Sequence, residues 1–171
     1  MKDATTFNVE SQQKGSDIVD NFQQYLLFNV GNEIYGFNVK CIKEVIEFSE
    51  VFEIPSTPDY IQGVINLRGD VVPVIDLASL FYHEVSSITK KSCIIILEIN
   101  EGGEVKSIGG LIDSIIAVSD FYEDDISDTP HFGSKIKSDY IHKVGKVDND
   151  FAILLNEKEV FNIDELSNFE I

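Results

Sequence analysis

The chain has 171 residues, 43% of them hydrophobic, and sets 13 Lys plus Arg against 30 Asp plus Glu, a formal net charge of −17. That length supports one compact domain or two tightly fused small ones, and the apolar content separates it from disordered chains. The negative field disfavours nucleic acid and anionic membrane as partners, since both would repel it. No run reaches the roughly 18 apolar residues of a membrane-spanning segment. The start, Met1-Lys2-Asp3, lacks the apolar stretch of a secretion signal. A cytoplasmic location is therefore expected, with Cys41 and Cys93 reduced and buried in apolar neighbourhoods rather than bridged.

Residues 1–21 are rich in Ser, Gln, Asp and Lys without periodicity and read as a flexible tail. Order is expected from residue 22 to 166, with 167–171 as a C-terminal end. Phe22 to Val30, Gly31-Asn32 and Glu33 to Val39 read as a hairpin. After a short connector comes Gly63 to Leu77, GVINLRGDVVPVIDL, two apolar runs about the polar turn Arg68-Gly69-Asp70. Val71 to Leu77 is apolar on both alternating faces, whereas a one-sided sheet would alternate. That run is expected to pack against two surfaces, burying Val72 and Val74 on one side and Val71, Pro73 and Ile75 on the other. Pro73 cannot donate to a ladder and points to an edge or a bulge. Asp76 is placed to cap a short helix, Leu77 to Phe81. Tyr82 to Lys90 is polar and loop-like. Cys93 to Ile99, Asn100 to Gly103 and Glu104 to Ile112 form another hairpin. Asp120 to Ser138 reads as an acidic loop, and Asn156 precedes a short helix, Glu157 to Phe161.

A faint internal repeat runs through these elements. Tyr35-Gly36 aligns with Ile108-Gly109. Val39, Ile42 and Val45 align with Ile112, Ile115 and Val118 at the same offset. Leu67, Asp70, Val71, Val74, Ile75, Leu80 and Phe81 then align with Val147, Asp150, Phe151, Leu154, Leu155, Val160 and Phe161. Each half reads hairpin, connector, hairpin, short helix. Duplication at this size points to two small β-barrels fused into one all-β body.

Motifs that carry chemistry are sparse. His83, His131 and His142 show no metal-ligand spacing with one another or with the cysteines. The phosphate loop GxxxxGK[ST], the GxGxxG turn and the GxSxG elbow are all missing from the sequence. Asp120, Glu123, Asp124, Asp125 and Asp128 lack the glycine and ligand spacing of a calcium loop. Gly102-Gly103 and Gly109-Gly110 suit turns and close backbone approach. No cofactor and no metal are expected, and a binding module is favoured over an enzyme. A lone Arg68 on a turn between apolar strands fits an interface anchor. A small-barrel enzyme or ligand-binding domain remains the alternative, and a pocket with convergent, perturbed carboxylates would favour it.

The chain resembles the CheW coupling proteins of bacterial chemotaxis over Phe22 to Leu166. The strongest likeness is Asn66-Leu67-Arg68-Gly69 followed by Pro73-Val74-Ile75-Asp76-Leu77. Tyr35-Gly36, the Ile42-x-Glu44-Val45 step, and Pro58 before Gly63 support it. The resemblance implies two SH3-like, five-stranded β-barrels over a shared apolar core. It implies a non-catalytic adaptor, without cofactor, linking methyl-accepting chemoreceptor signalling tips to the regulatory domain of the histidine kinase CheA. It also implies partner contacts at Arg68, with Asn66 and Gly69 of its turn, and at Ile42 and Glu44. Such adaptors serve other motility and output systems too, so the pathway stays open. Tyr82 to Lys90 and the acidic 120–128 segment depart from the family pattern. Far-UV circular dichroism should show dominant β signal, and a helix content above about one third would contradict the two-barrel reading.

Overall fold

The computed structural model describes residues 21–128 and 135–162. The expected N-terminal tail up to residue 20, His131, and the chain from 163 onward lie outside the described residues. Eleven strands are present among those described. They are β1 (Phe22–Val30), β2 (Glu33–Asn38), β3 (Ile42–Glu47), β4 (Ile61–Leu67), β5 (Asp70–Asp76), β6 (Cys93–Glu101), β7 (Glu104–Ile112), β8 (Ser114–Tyr122), β9 (Ile126–Ser127), β10 (Ile141–Val147) and β11 (Asp150–Leu155). Two short helices follow β5 and β11: α1 (Leu77–Tyr82) and α2 (Glu157–Val160).

The strands form two barrel-like sheets. One has the order β8-β1-β2-β11-β10-β9, the other β3-β6-β7-β5-β4. The second has the expected five strands. The first has six, because β9, inside the segment expected to be an acidic loop, pairs with β10 through Val144–Ser127 and Gly145–Ile126. The connectors after the first hairpin of each half are also strands, β3 and β8. β3 pairs with β6 and β8 with β1, both antiparallel. Neither barrel is therefore one half of the sequence. Each half lends its first hairpin to the sheet completed by the later strands of the other.

The only parallel pairings among the described strands are the two junctions made by this exchange, β2 with β11 and β7 with β5. They are related by the repeat: Gly36 lies opposite Leu154, and Gly109 opposite Val74. Strands approach closely there. A Cβ built on Gly109 would lie 2.8 Å from the Ile94 side chain, and one on Gly36 3.0 Å from Leu27 and 3.1 Å from Leu154. The helix starts repeat as well. Asp76 accepts from the N–H groups of Ala78 and Ser79, and Asn156 from that of Glu159. Their own N–H groups donate to Tyr60 O and Tyr140 O, each at 2.8 Å.

Alternation explains why the strands are apolar on both faces. Ile65, Val72, Val74, Ile94, Ile96 and Leu111 fill one barrel. Tyr25, Leu27, Phe121, Ala152 and Leu154 fill the other. The opposite faces of the same strands, Leu26, Phe28 and Val30 of β1, Ile75 of β5, Ile95, Leu97 and Ile99 of β6, and Leu155 of β11, meet in a third core with Tyr35, Phe37, Phe81 and Phe161. The expectation for β5 holds for Val72, Val74 and Ile75, but Val71 is 56% exposed. Val71 stands beside the hairpin turn, beyond the reach of the other sheet. Pro73 is not on an edge strand, but the β4–β5 register shift between Ile61 and Gly63 lies one step from its partner Val64. Pro73 precedes the point where β7 joins β5, since that pairing begins at Val74, so its missing N–H interrupts no ladder there.

The loop after α1 is held by Asp76, which is buried and also accepts from the backbone N–H of Ser86 at 3.0 Å. Cys41 and Cys93 are free, as expected, but half-buried rather than buried. Val74 has no exposed surface. Val74→Asp should cost several kcal/mol, because an unpaired carboxylate would enter an apolar interior. A urea titration checks this, and an unchanged midpoint would contradict the described packing.

Candidate partner-binding site

The β4–β5 hairpin turns on Arg68 and Gly69, with φ of 51° and 92°. Two successive positive φ values belong to the type I′ turn, whose twist matches the flanking strands. Arginine rarely adopts such a φ, and Asn66 supports it by accepting from the Gly69 N–H at 2.8 Å. A side chain at Gly69 would meet nothing within 4 Å, so the glycine is there for its backbone conformation alone.

The turn carries Arg68 across to β3. In the sheet order β3 and β4 are the two edges, and the Arg68 guanidinium bridges the open seam to hydrogen-bond the Glu44 carboxylate. Glu44 is on the β3 face it shares with Ile42 and Ile46, both half-buried against apolar clusters. At the solvent rim of that face, Arg68 gives the acid a counter-charge. The Arg68 side chain is 64% exposed and that of Glu44 27%. The hydrogen bond to Arg68 holds the Glu44 carboxyl below its usual range, and the same bond raises Arg68.

The five residues singled out in the sequence thus converge on one hairpin and the strand facing it, in different roles. Arg68 and Glu44 present charge. Asn66 and Gly69 build the turn, and Ile42 packs on the shared core. Sequence reasoning missed that Arg68 and Glu44 pair, because nothing in a linear spacing of 24 residues signals it. It also missed the exposure of Val71, which lies opposite Asn66 in the hairpin register. The repeat places Asp148, φ 52°, where the first half has Arg68, and Ala117 where it has Glu44. The corresponding tip of the other barrel is therefore acidic and lacks the pair.

A catalytic alternative called for convergent, perturbed carboxylates. A polar cavity of about 710 Å³ opens between the sheets, and Glu157 is its one carboxylate with a shifted pKa, raised by burial. The Cys41 thiol beside it is pushed up to about 11, chiefly by burial, and is a poor nucleophile. Among the described residues no group of three or more His, Cys, Asp or Glu is placed to hold a metal ion. His83 ends α1 and His142 lies on β10. No helix among the described residues is long and apolar enough to cross a membrane.

Two small barrels sharing a core, with a charged hairpin tip, define an interaction module. Residues 24–165 match the CheW-like domain family, and the chain belongs to it. It is 28% identical over 145 residues to the chemotaxis protein CheW of Klebsiella aerogenes, covering 85% of each chain. It is 31% identical over 125 residues to the chemotaxis protein CheW of Thermotoga maritima, covering 71% of this chain and 79% of that one. The crystal structure of the scaffolding protein TtCheW from Thermoanaerobacter tengcongensis superposes with a TM-score of 0.73 at 30% identity, over 81% of this chain and 87% of that one. The chain is accordingly a non-catalytic chemotaxis adaptor of the two-barrel kind.

The depressed Glu44 pKa has a definite sign. Its contribution to stability is present above the unfolded-state value of about 4.3 and is lost as pH falls through the folded-state value. Arg68→Ala should move the Glu44 carboxyl titration, followed by carbon NMR, upward towards the ordinary range. An unmoved midpoint would mean that the pair does not persist in solution.

Proposed function

We propose that the hairpin tip of Arg68, Asn66 and Gly69, with Ile42 and Glu44 on β3, is a partner-binding site through which the chain couples receptors to a kinase. The partners are the signalling tips of methyl-accepting chemoreceptors and the regulatory domain of the histidine kinase CheA. The adaptor acts in the cytoplasm and is recruited to receptor arrays at the inner face of the membrane. Non-flagellar motility or another output pathway would use the same contacts.

One observation carries the reading: an Arg–Glu pair is held on an exposed turn built to display it, beside the exposed Val71. Arginine next to accessible apolar surface is the composition of an interface anchor. A pair kept only for stability would gain little there, because exposed ion pairs contribute weakly. The net charge of −17 makes this guanidinium a local exception in an acidic field, suited to selecting an oriented acidic partner.

Arg68→Ala should leave the melting temperature essentially unchanged and weaken association with receptor tip or kinase domain about tenfold or more, as loss of an anchor does. Glu44→Lys should weaken it too, by reversing a displayed charge. Calorimetric titration of the folded variants against both partners measures this. Wild-type affinity for both would assign the pair to the turn alone.

A further inference from the structure

Glu157 opens α2, where the repeat puts the buried Leu77 in the other half. A carboxylate therefore replaces an apolar side chain at one of two equivalent places. Its Oε2 accepts from the backbone N–H of Asn38 at 2.8 Å, and Cys41 lines the same cavity beside it. Asn38 ends β2 and caps the single turn Val39–Cys41, its side-chain oxygen accepting from the Lys40 N–H at 2.9 Å. Its amide also donates to Gln23 Oε1 at 2.8 Å. That turn is the crossover from one sheet to the other, and it passes without a break into β3. One carboxylate thus ties down the lead-in to the strand that carries Glu44.

Burial raises the Glu157 pKa, while the hydrogen bond from the Asn38 N–H and the charge of His142 act the other way. Tyr25 of β1, Lys40 and Cys41 of the crossover, Glu98 of β6, His142 of β10 and Lys158 of α2 surround it in the cavity between the sheets. The carboxylate form makes the stronger bond to an N–H, since charge-assisted hydrogen bonds are roughly twice as strong as neutral ones. Protonation weakens that bond but removes the burial penalty. A carboxyl raised in the folded state contributes stability below its unfolded pKa and loses it as pH rises through the folded one. Acidification therefore loosens the crossover without unfolding the barrels at this point.

We propose that Glu157 is a proton-sensitive latch that positions β3: ionised, it grips the Asn38 N–H and sets Glu44 for partner binding; protonated, it loosens that grip and lowers affinity. The inference rests on the partner-binding reading of Arg68 and Glu44.

The test uses the full chain in two measurements. In the first, NMR follows the Glu157 carboxyl and the amides of Asn38 and Glu44 against pH. A shared midpoint above the ordinary carboxylate range is expected, and Glu157→Gln should abolish it. In the second, affinity for a chemoreceptor signalling-tip fragment and for a CheA regulatory domain is measured from neutrality down past the Glu157 midpoint found in the first. The wild type should weaken about fivefold or more on acidification, the lower end of usual coupling between sites. Glu157→Gln, folded by circular dichroism, should show the acid wild-type affinity already at neutral pH and no such step. Amides of Asn38 and Glu44 that ignore the Glu157 midpoint, or full neutral-pH affinity in Glu157→Gln, would overturn the latch. A wild type that binds neither probe at neutral pH would overturn the partner reading instead, a distinguishable result because the amide titration needs no partner.

Discussion

The whole molecule depends on strands that are apolar on both faces. β1, β5, β6 and β11 each use one face to fill a barrel and the other to fill the core between the barrels. Such strands could not stand in a one-sided sheet, because the second face would be left in water. The exchange of first hairpins is the arrangement that satisfies both faces at once. Each half of the chain thereby contributes to both sheets, so neither barrel is built from a contiguous half of the sequence. The two glycines at the parallel junctions, Gly36 and Gly109, are the local condition for that crossing.

Duplication provides the frame, and divergence within it makes the two ends unlike. The two hairpin tips share a positive-φ residue and an exposed apolar residue, Val71 on one and Phe151 on the other. They differ in charge: Arg68 with Glu44 at one tip, Asp148 facing no such pair at the other. The same contrast recurs at the helix starts, where Leu77 packs in the core and Glu157 holds a polar crossover. In each case the backbone is repeated and a single side chain changes what the place can do. A pseudo-symmetric body with unlike ends suits an adaptor, which must keep two partners apart and oriented.

Much of this was legible in the sequence. The hairpins, both helix caps and the turn around Arg68 followed from apolar alternation, Asp76 and Asn156, and the glycine after Arg68. β3 and β8 were not legible as strands, since each finds its hydrogen-bond partners in the other half of the chain. The acidic run concealed β9 for a different reason: two residues become a strand only because β10, later in the same half, lies beside them. Val71 looked like core because its run was apolar, but exposure at a strand end depends on where the opposing sheet stops. Glu157 could not be singled out, because its partner is a backbone N–H more than a hundred residues away.

The central claim is that partners read the charges at the hairpin tip individually, rather than needing only an intact ion pair. Exchanging the two charges, Arg68→Glu together with Glu44→Arg, tests it most directly. The exchanged protein can still close the seam between β3 and the hairpin with an ion pair, so its thermal stability should match the wild type. Its affinity for receptor tip and kinase domain, measured by titration calorimetry, should stay about tenfold or more below the wild type, as in Arg68→Ala. Recovery of wild-type affinity in the exchanged protein would show that the pair matters only as a structural clasp.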